Sequence, residues 1–311
     1  MLLRNLLVII SIFLPSLIIK AQGLDSLRSY AEAGLSTEDS LSIFKLIDSL
    51  LSLEASEPKS QLGVRLAYNS NMLSTGRTLG INQFGLNAGV SYYHKSGFFT
   101  DLSGFWSDSF DPSYYLTILS AGYMHTISEK LSVITSFDHY SYTFPESTIP
   151  FSYSASLSGF VDLKPLVMRL DYIFYFGDYH VHRVMPSLGF NIEKKGLLKL
   201  DKVSINPIGM ILLGNEHITE IIFPSTRQEW IVAFMNWRRG MPWYTIKTSN
   251  VFGIMNYSFL IPLQVNHRQW SFFFGYAYNI PKSLKGEIMT LDRSGFLTAS
   301  IIRLIDFRPK K

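Results

Sequence analysis

Hydrophobic and polar residues alternate with a period of two along most of the chain after residue 60. Such a period places apolar side chains on one face of an extended strand and polar side chains on the other. In FSYSASLSGFVDL (residues 151–163), serines occupy one face, and aromatic and aliphatic residues occupy the other. The pattern recurs in LGVRLAYN (62–69), LVMRLDYIFYF (166–176) and WSFFFGYAYNI (270–280). The chain is therefore predicted to be all-β beyond residue 60.

The alternating segments predict about twelve strands, with the length that a tilted strand needs to cross a bilayer. The predicted strands are 61–70, 83–95, 98–108, 113–127, 130–143, 150–163, 166–176, 179–192, 198–213, 252–266, 269–280 and 295–307. Short turns, including one at 193–196, alternate with longer loops. The longest loop is predicted at 214–251.

Residues 61–307 resemble a bacterial outer-membrane β-barrel protein of the porin-like kind. The resemblance implies a transmembrane antiparallel up-and-down β-barrel, whose even strand count leaves both termini in the periplasm. Closure leaves no backbone edge unpaired in lipid. A secreted β-sandwich is the alternative, but its polar faces would carry more Lys, Glu and Thr than these Ser-, Gly- and Asn-rich ones. The resemblance also implies recognition by the barrel assembly machinery, for which Phe307 is the aromatic residue nearest the C-terminus.

The first residues have the features of a secretory signal peptide. An early Arg4 and an apolar run precede Ala21, which predicts a signal peptide over residues 1–21. A retained membrane anchor is the alternative. Residues 22–60 are predicted to form a short periplasmic helical segment, which packs on itself or on a partner protein, and residues 61–311 form the barrel.

The composition narrows the classes of function. The chain has no Cys, which excludes a disulfide scaffold, a Cys-bound zinc and a lipid-bearing Cys. Only 17% of its residues are charged, against roughly 25% in soluble domains. The net charge of +4 is too small and too dispersed to indicate a nucleic-acid partner. No phosphate-binding loop or metalloprotease pattern is present, so no cofactor is expected.

If the apolar faces contact lipid, eight charged residues turn toward the lumen. Four are acidic and four are basic, and cross-strand pairing is expected because unpaired charges in a narrow space are costly. One interpretation is a polar, weakly selective pore, and the other is an interior filled with salt bridges. The predicted lumen-lining residues are Arg65, Asp101, Asp138, Asp162, Arg169, Asp171, Arg183 and Lys202.

The long loop contains a group of tryptophans next to arginines. These side chains have the chemistry to stack on sugar rings or to bind lipopolysaccharide phosphates. Alternatively, the loop packs over the barrel mouth or anchors the barrel at the membrane interface. The residues of this recognition hypothesis are Trp230, Trp237, Arg238, Arg239 and Trp243.

One pair of residues is a candidate for hydrolysis. His139 and Ser141 share a strand face and resemble the His-x-Ser spacing of outer-membrane phospholipases, in which a His activates a Ser. In that family Asn and Gly follow the Ser, whereas Tyr142 and Thr143 follow it here. Interfacial aromatic and polar residues explain the pair without catalysis, and no catalytic residue is assigned.

The stretch FGDYHVHR contains Asp178, His180 and His182 at alternate positions. Alternate strand residues lie too far apart to hold a metal without ligands from a second strand. The alternation that continues from Val184 instead turns His180 and His182 outward, at headgroup level. Arg183 is then the residue that faces the lumen.

These patterns predict a protein of the Gram-negative outer membrane, in contact with outer-membrane lipid and lipopolysaccharide. Its expected function is a passive channel for small hydrophilic solutes. The leading alternative is a non-conducting barrel that binds a surface or periplasmic protein partner, or assists assembly, through its long loop and periplasmic helices. An outer-membrane lipid hydrolase is the third interpretation.

Overall fold

A computed structural model shows twelve antiparallel strands that close into a barrel. The structure describes residues 60–70, 85–108, 111–143, 151–177, 180–287 and 292–307. These residues belong to one unit, Ser36–Lys311. The predicted signal peptide (1–21), the predicted helical segment (22–60) apart from Ser60, and Asp178 lie outside the described residues.

The first eight strands form a meander in which each strand pairs antiparallel with the next. Their bounds agree with the predicted ones to within three residues, which confirms that the two-residue period marks strands here. They are β1 (Gln61–Asn69), β2 (Gly85–Tyr93), β3 (Phe98–Trp106), β4 (Tyr114–Ser128), β5 (Leu131–Tyr142), β6 (Tyr153–Leu163), β7 (Leu166–Phe176) and β8 (His180–Phe190).

The second part of the chain adds six strands, one α-helix and a short 3₁₀-helix at Leu197–Lys199. Four of the strands complete the barrel, and the other two form a small hairpin. The elements are β9 (Ile192–Lys195), β10 (Lys202–Ile205), β11 (Ile208–Ile222), α1 (Arg227–Arg238), β12 (Thr245–His267), β13 (Trp270–Pro281) and β14 (Ser294–Asp306).

Two long-range pairings close the barrel. β14 pairs with β1 from Gln61↔Asp306 to Asn69↔Thr298, and β8 pairs with β11 from Gly189↔Ile208 to Arg183↔Gly214. The wall therefore consists of β1–β8 and β11–β14. We call the end where β1 begins and β14 ends the short-turn end, and the opposite end the loop end.

The predicted strand 198–213 is wrong at its start. Residues 197–199 form the 3₁₀-helix, and β11 begins only at Ile208. Pro207, which lacks an amide donor, separates β10 from β11. The predicted short turn at 193–196 is likewise replaced by β9, and β10 pairs with the end of β12 at Leu263–Asn266.

The predicted loop 214–251 is wrong in extent. β11 and β12 stay paired far beyond the barrel wall, from Gly214↔Gly253 to Ile222↔Thr245. Only residues 223–244 connect them, and these include α1. We call residues 215–252 the arm.

The outward face of the wall is apolar, as the alternation predicts. In β1, Val64, Leu66 and Tyr68 are exposed, whereas Arg65 and Asn69 between and beside them are buried. Exposed apolar side chains recur at alternate positions on the other barrel strands. In the described part of the chain, no helix combines the length and the apolar character needed to cross a membrane.

Candidate functional site

The predicted lumen-lining residues occupy inward positions of the barrel strands, with one exception. Asp138, Asp171 and Arg183 are almost fully buried, at 1%, 3% and 2% exposure. Lys202 is the exception, because it lies on β10, outside the twelve strands that close the barrel. Protein atoms therefore surround much of this charge, and the interior is more closely packed than a wide pore.

Arg65 on β1 joins three neighbouring strands through its guanidinium group. Its Nε donates to the Asn87 side-chain oxygen at 3.1 Å, and its Nη2 donates to the Ser103 hydroxyl at 2.6 Å. The Asp101 carboxylate lies 3.4 Å from Nη2, so this ion pair spans β1 and β3, as the expected cross-strand pairing requires. A Cβ at Gly89 would lie 2.7 Å from Nη2, and glycine at this position makes room for the arginine.

Asp138 is held by hydroxyl groups from both adjacent strands. Ser120 on β4 and Ser154 on β6 each donate to its carboxylate at 2.6 Å. The Tyr140 hydroxyl lies 2.9 Å from the Ser154 hydroxyl and extends the network. Short hydrogen bonds to a charged acceptor offset part of the cost of burying it.

Arg169 and Asp171 form an ion pair within one strand. The Arg169 Nη2 lies 2.5 Å from a carboxylate oxygen of Asp171, and Ser158 on β6 donates to the same carboxylate at 2.5 Å. The guanidinium carbon lies 4.6 Å from the centre of the Phe160 ring, a cation–π distance. This pair departs from the expected cross-strand arrangement, because both residues lie on the inward face of β7.

Arg183 ties β8 to the base of the arm. Its Nη2 lies 2.9 Å from the Glu216 carboxylate, and its Nη1 donates to the Asn215 carbonyl oxygen at 2.5 Å. The Asn215 side-chain oxygen accepts a hydrogen bond from the His182 amide at 2.5 Å. Sequence reasoning missed Asn215 and Glu216 because both were assigned to a loop, and no periodicity in that segment marked them.

Apolar side chains fill the interior toward the loop end. The Phe151 and Tyr175 ring centres lie 5.7 Å apart, and the Tyr140 and Tyr175 ring centres lie 6.3 Å apart. Tyr115 is buried beside them, at a bulge that shifts the register between Phe105↔Leu116 and Trp106↔Tyr114. This aromatic cluster consists of Ala67, Phe105, Tyr115, Leu116, Ile118, Tyr140, Phe151, Ile173, Tyr175 and Val181.

A second apolar cluster lies on the inner surface of β12–β14. Its buried members are Leu260, Phe273, Ala277, Phe296 and Ile302. The alternation predicted that apolar residues lie on the lipid face alone. In β13, however, three consecutive phenylalanines must occupy both faces of the strand, and this run indicated that the inner face is also apolar. The interior is therefore polar only in part.

The structure gathers the predicted recognition residues on and beside α1. Trp230, Trp237 and Arg238 lie on the helix, Arg239 is its C-cap, and Trp243 follows it. The Trp230 and Trp243 rings are stacked with centres 6.0 Å apart, whereas Trp237 lies next to Phe234 instead.

A capping box starts α1. The Thr226 hydroxyl accepts from the Glu229 amide at 3.2 Å, and the Glu229 carboxylate accepts from the Thr226 amide at 3.0 Å. A further hydrogen bond from the Ser225 amide, together with the one from Thr226, holds the pKa of Glu229 below its usual value. The helix start is thus well defined, and Glu229 is engaged with its own helix.

His139 and Ser141 share one face of β5, as predicted, and this face points outward, but among the described residues no hydrogen bond joins the two side chains. The Nδ1 atom of His139 is buried and has no hydrogen-bond partner within the described ranges. The imidazole instead packs against the Tyr153 ring, with centres 4.9 Å apart. A serine nucleophile needs a hydrogen bond to its base.

His180 and His182 point outward on β8, whereas Val181 and Arg183 point inward, which confirms the predicted orientation. The His182 ring stacks on Phe174 at 4.8 Å, and its Nδ1 lies 2.8 Å from the Tyr172 hydroxyl. Within the part of the chain that the structure describes, no group of three or more His, Asp or Glu residues is arranged to hold a metal ion. The imidazoles belong to an outward aromatic surface.

No family model matches the chain, and no curated protein matches it. Among solved structures, a KdgM porin matches with a TM-score of 0.43 and 10% identity, over 78% of this chain and 98% of the porin. A NanC porin matches with a TM-score of 0.42 and 10% identity, over 78% and 98%. LpxR from Salmonella typhimurium matches with a TM-score of 0.37 and 9% identity, over 78% and 99%.

These similarities are too low to support an inference about function. The closed ladder of strands, by contrast, is a property of this chain itself. The resemblance to outer-membrane β-barrels that the alternation indicates is confirmed for the fold, and no specific family is identified.

Proposed function

We propose that the chain is an outer-membrane β-barrel that gives small hydrophilic solutes a narrow passage through its interior. The observation that supports this most is the inverted polarity of the wall. Leu66, Leu102 and Phe259 are more than half exposed on the outside, while charged residues are buried inside. A surface of this kind is unfavourable in water and suits hydrocarbon, where a closed barrel also satisfies every backbone hydrogen bond.

The charges inside favour weak selectivity. Arg65 is paired with Asp101, and Arg169 with Asp171, so charges of both signs line the interior and neutralise one another locally. A lining of one sign would favour ions of the opposite sign. We therefore expect a passage that distinguishes solutes by size more than by charge.

The aromatic cluster at the loop end is the expected constriction. Truncating Phe151 and Tyr175 to alanine should widen the passage, because both rings are buried in that cluster. The wild-type protein should show small conductance steps in planar bilayers, and the Phe151→Ala/Tyr175→Ala variant should show steps several times larger. Phe259→Ala is the matched control, since it removes a ring from the outer face and should leave the conductance unchanged.

The same experiment tests a second candidate, a non-conducting barrel whose interior is a packed core. The burial of Asp138 and Arg183 and the apolar clusters of the interior support it. A wild-type protein that is silent at all voltages, while its heat-modifiable migration shows a folded barrel, would replace the passage with this candidate. Such a barrel would act through a surface or periplasmic protein partner, and among the described residues the arm is the longest segment outside the wall.

A further inference from the structure

The arm carries an apolar helical surface that is left uncovered by the described residues. Six large apolar side chains of α1 are each about half exposed or more, and all of them except Val232 share one face of the helix. Single exposed apolar residues are ordinary on protein surfaces, but a contiguous group marks a site of interaction. The five residues on that face, with their exposure, are Trp230 (53%), Ile231 (53%), Phe234 (56%), Met235 (46%) and Trp237 (62%).

These side chains share one face of α1. Successive helical residues are separated by about 100° around the axis, since a turn contains about 3.6 residues. Phe234 then lies at the centre of the apolar face, with the other four on either side of it. The opposite face is formed by Gln228, Glu229, Val232 and Asn236.

Two arginines lie on the apolar face itself, at its two ends. Arg227 and Arg238 project close to the direction of Phe234, and about 16 Å of helix separates them. A protein groove that accepts an apolar helix would have to bury these two charges. A bilayer surface leaves the two charges unburied, because the long arginine side chains extend to the lipid phosphates while the apolar residues between them enter the acyl-chain region.

We propose that α1 lies on the surface of an anionic bilayer. The residues around Phe234 enter the boundary between headgroups and acyl chains, and Arg227, Arg238 and Arg239 bind lipid phosphates. Charge supports this occupant, because residues 223–244 carry three arginines and a single carboxylate, Glu229, which is engaged in capping its own helix. Tryptophan is also the side chain most typical of membrane interfaces.

The arm is long enough to present α1 away from the barrel wall. β11 makes its last pair with β8 at Gly214, and Asn215 and Glu216 are fastened to β8 by side-chain hydrogen bonds. From Glu216 to Ile222 the paired ribbon extends for about 20 Å. The Phe223 and Trp243 rings are tilted against each other, with centres 5.3 Å apart, where the ribbon meets the helical segment, and both side chains are exposed.

This inference rests on the membrane placement proposed above, and it does not depend on conduction. The test uses the full-length protein folded at one barrel per nanodisc, and heat-modifiable migration verifies insertion independently. Since the chain has no Cys, Phe234→Cys and Val232→Cys each provide one labelling site. The two positions have nearly equal exposure, 56% and 52%, but lie on opposite faces of α1.

A polarity-sensitive fluorophore at position 234 should be blue-shifted and quenched several-fold more by lipids with brominated acyl chains than the same label at position 232. The difference should be larger in discs with equal amounts of phosphatidylglycerol and phosphatidylcholine than in phosphatidylcholine alone. Arg238→Gln/Arg239→Gln should reduce the anionic contribution. Equal quenching of the two labels in inserted barrels would overturn the proposal. A blue shift of the label at position 234 without quenching by brominated lipids would also overturn it, and would indicate that α1 packs on protein.

Discussion

At the scale of single residues, the interior is built around large cationic side chains that fit against glycines. A Cβ at Gly214 would lie 2.7 Å from Arg183 Cδ and 2.7 Å from the His182 carbonyl oxygen. The Arg183 side chain can move away from such a Cβ, but the His182 carbonyl cannot, because it is part of the backbone of β8. Gly214→Ala should therefore displace Arg183 from Glu216 and lower the free energy of unfolding by about 1–3 kcal/mol, the usual cost of overpacking.

Gly209→Ala is the matched control for this prediction, because Gly209 lies on the same strand. Its Cβ would be 3.8 Å from the nearest atom of Phe259, an ordinary van der Waals contact. Urea unfolding of the folded barrel in lipid vesicles, followed by tryptophan fluorescence, measures both variants. Equal stabilities for the two variants would show that Arg183 has no fixed position.

Individual residues of the interior were predictable from the alternation, but their partners were not. The inward orientation of Arg65, Asp138 and Arg183 follows from the period of two. The pairing of Arg65 with Ser103, and of Arg183 with Glu216, depends on which strands become neighbours and in which register. The period of the sequence predicts which face of the strand a residue occupies. Its contacts can be predicted only when the neighbouring strand and the register between the two strands are known.

At the scale of elements, the β9–β10 hairpin carries a carboxylate that lies between two lysines. Lys202 Nζ lies 3.0 Å from the Glu193 carboxylate, and Lys164 Nζ lies 3.5 Å from it. The hydrogen bond from Lys202, followed by the charges of both lysines, lowers the pKa of Glu193 in the folded protein. Its contribution to stability is thus present above the unfolded pKa of about 4.3, and it is lost as the pH falls through the lower folded value.

Proteolysis by pepsin between Leu197 and Leu198, which are exposed at the hairpin tip, measures this effect. The cleavage rate of Glu193→Gln serves as the reference at each pH, because the activity of pepsin itself changes. The wild-type hairpin should be better protected than the variant near pH 5, and the difference should disappear by about pH 2. A constant ratio across this range would mean that the ion pairs do not stabilise the hairpin.

The arm and the β9–β10 hairpin were not predicted from the alternation, and the physical reason is the same for both. The arm extends beyond the wall and therefore beyond the proposed lipid, which would select one apolar face, and its ribbon has the sequence GNEHITEII rather than a clean alternation. The β9–β10 hairpin is short, and its turn uses Gly196 and Leu198 with positive φ angles of 70° and 53°. The period of two predicts strands reliably where one face of the strand contacts the same environment from end to end, as the outward face of the wall does with the proposed lipid.

At the scale of the whole molecule, the outer and inner surfaces of the wall differ in how regularly their side chains alternate. The outer surface is apolar at almost every alternate position, while the interior combines ion pairs, hydroxyl networks and apolar clusters. The closed barrel could be predicted because the outer surface carries a regular pattern. The filling of the interior could not, because side chains that meet across a barrel come from distant positions in the chain.

The membrane placement predicts a depth-dependent cost for charge on the outer surface. Leu170 is 54% exposed in the middle of β7, and Leu163 is 43% exposed at the short-turn end of β6. In a bilayer, Leu170→Arg should cost about 2–4 kcal/mol and Leu163→Arg about 0–1 kcal/mol, because a charge near the interface reaches water. On a water-exposed surface, both substitutions should change stability by less than about 0.5 kcal/mol. Unfolding of the two variants from lipid vesicles distinguishes these outcomes, and equal small effects would contradict a lipid-facing outer surface.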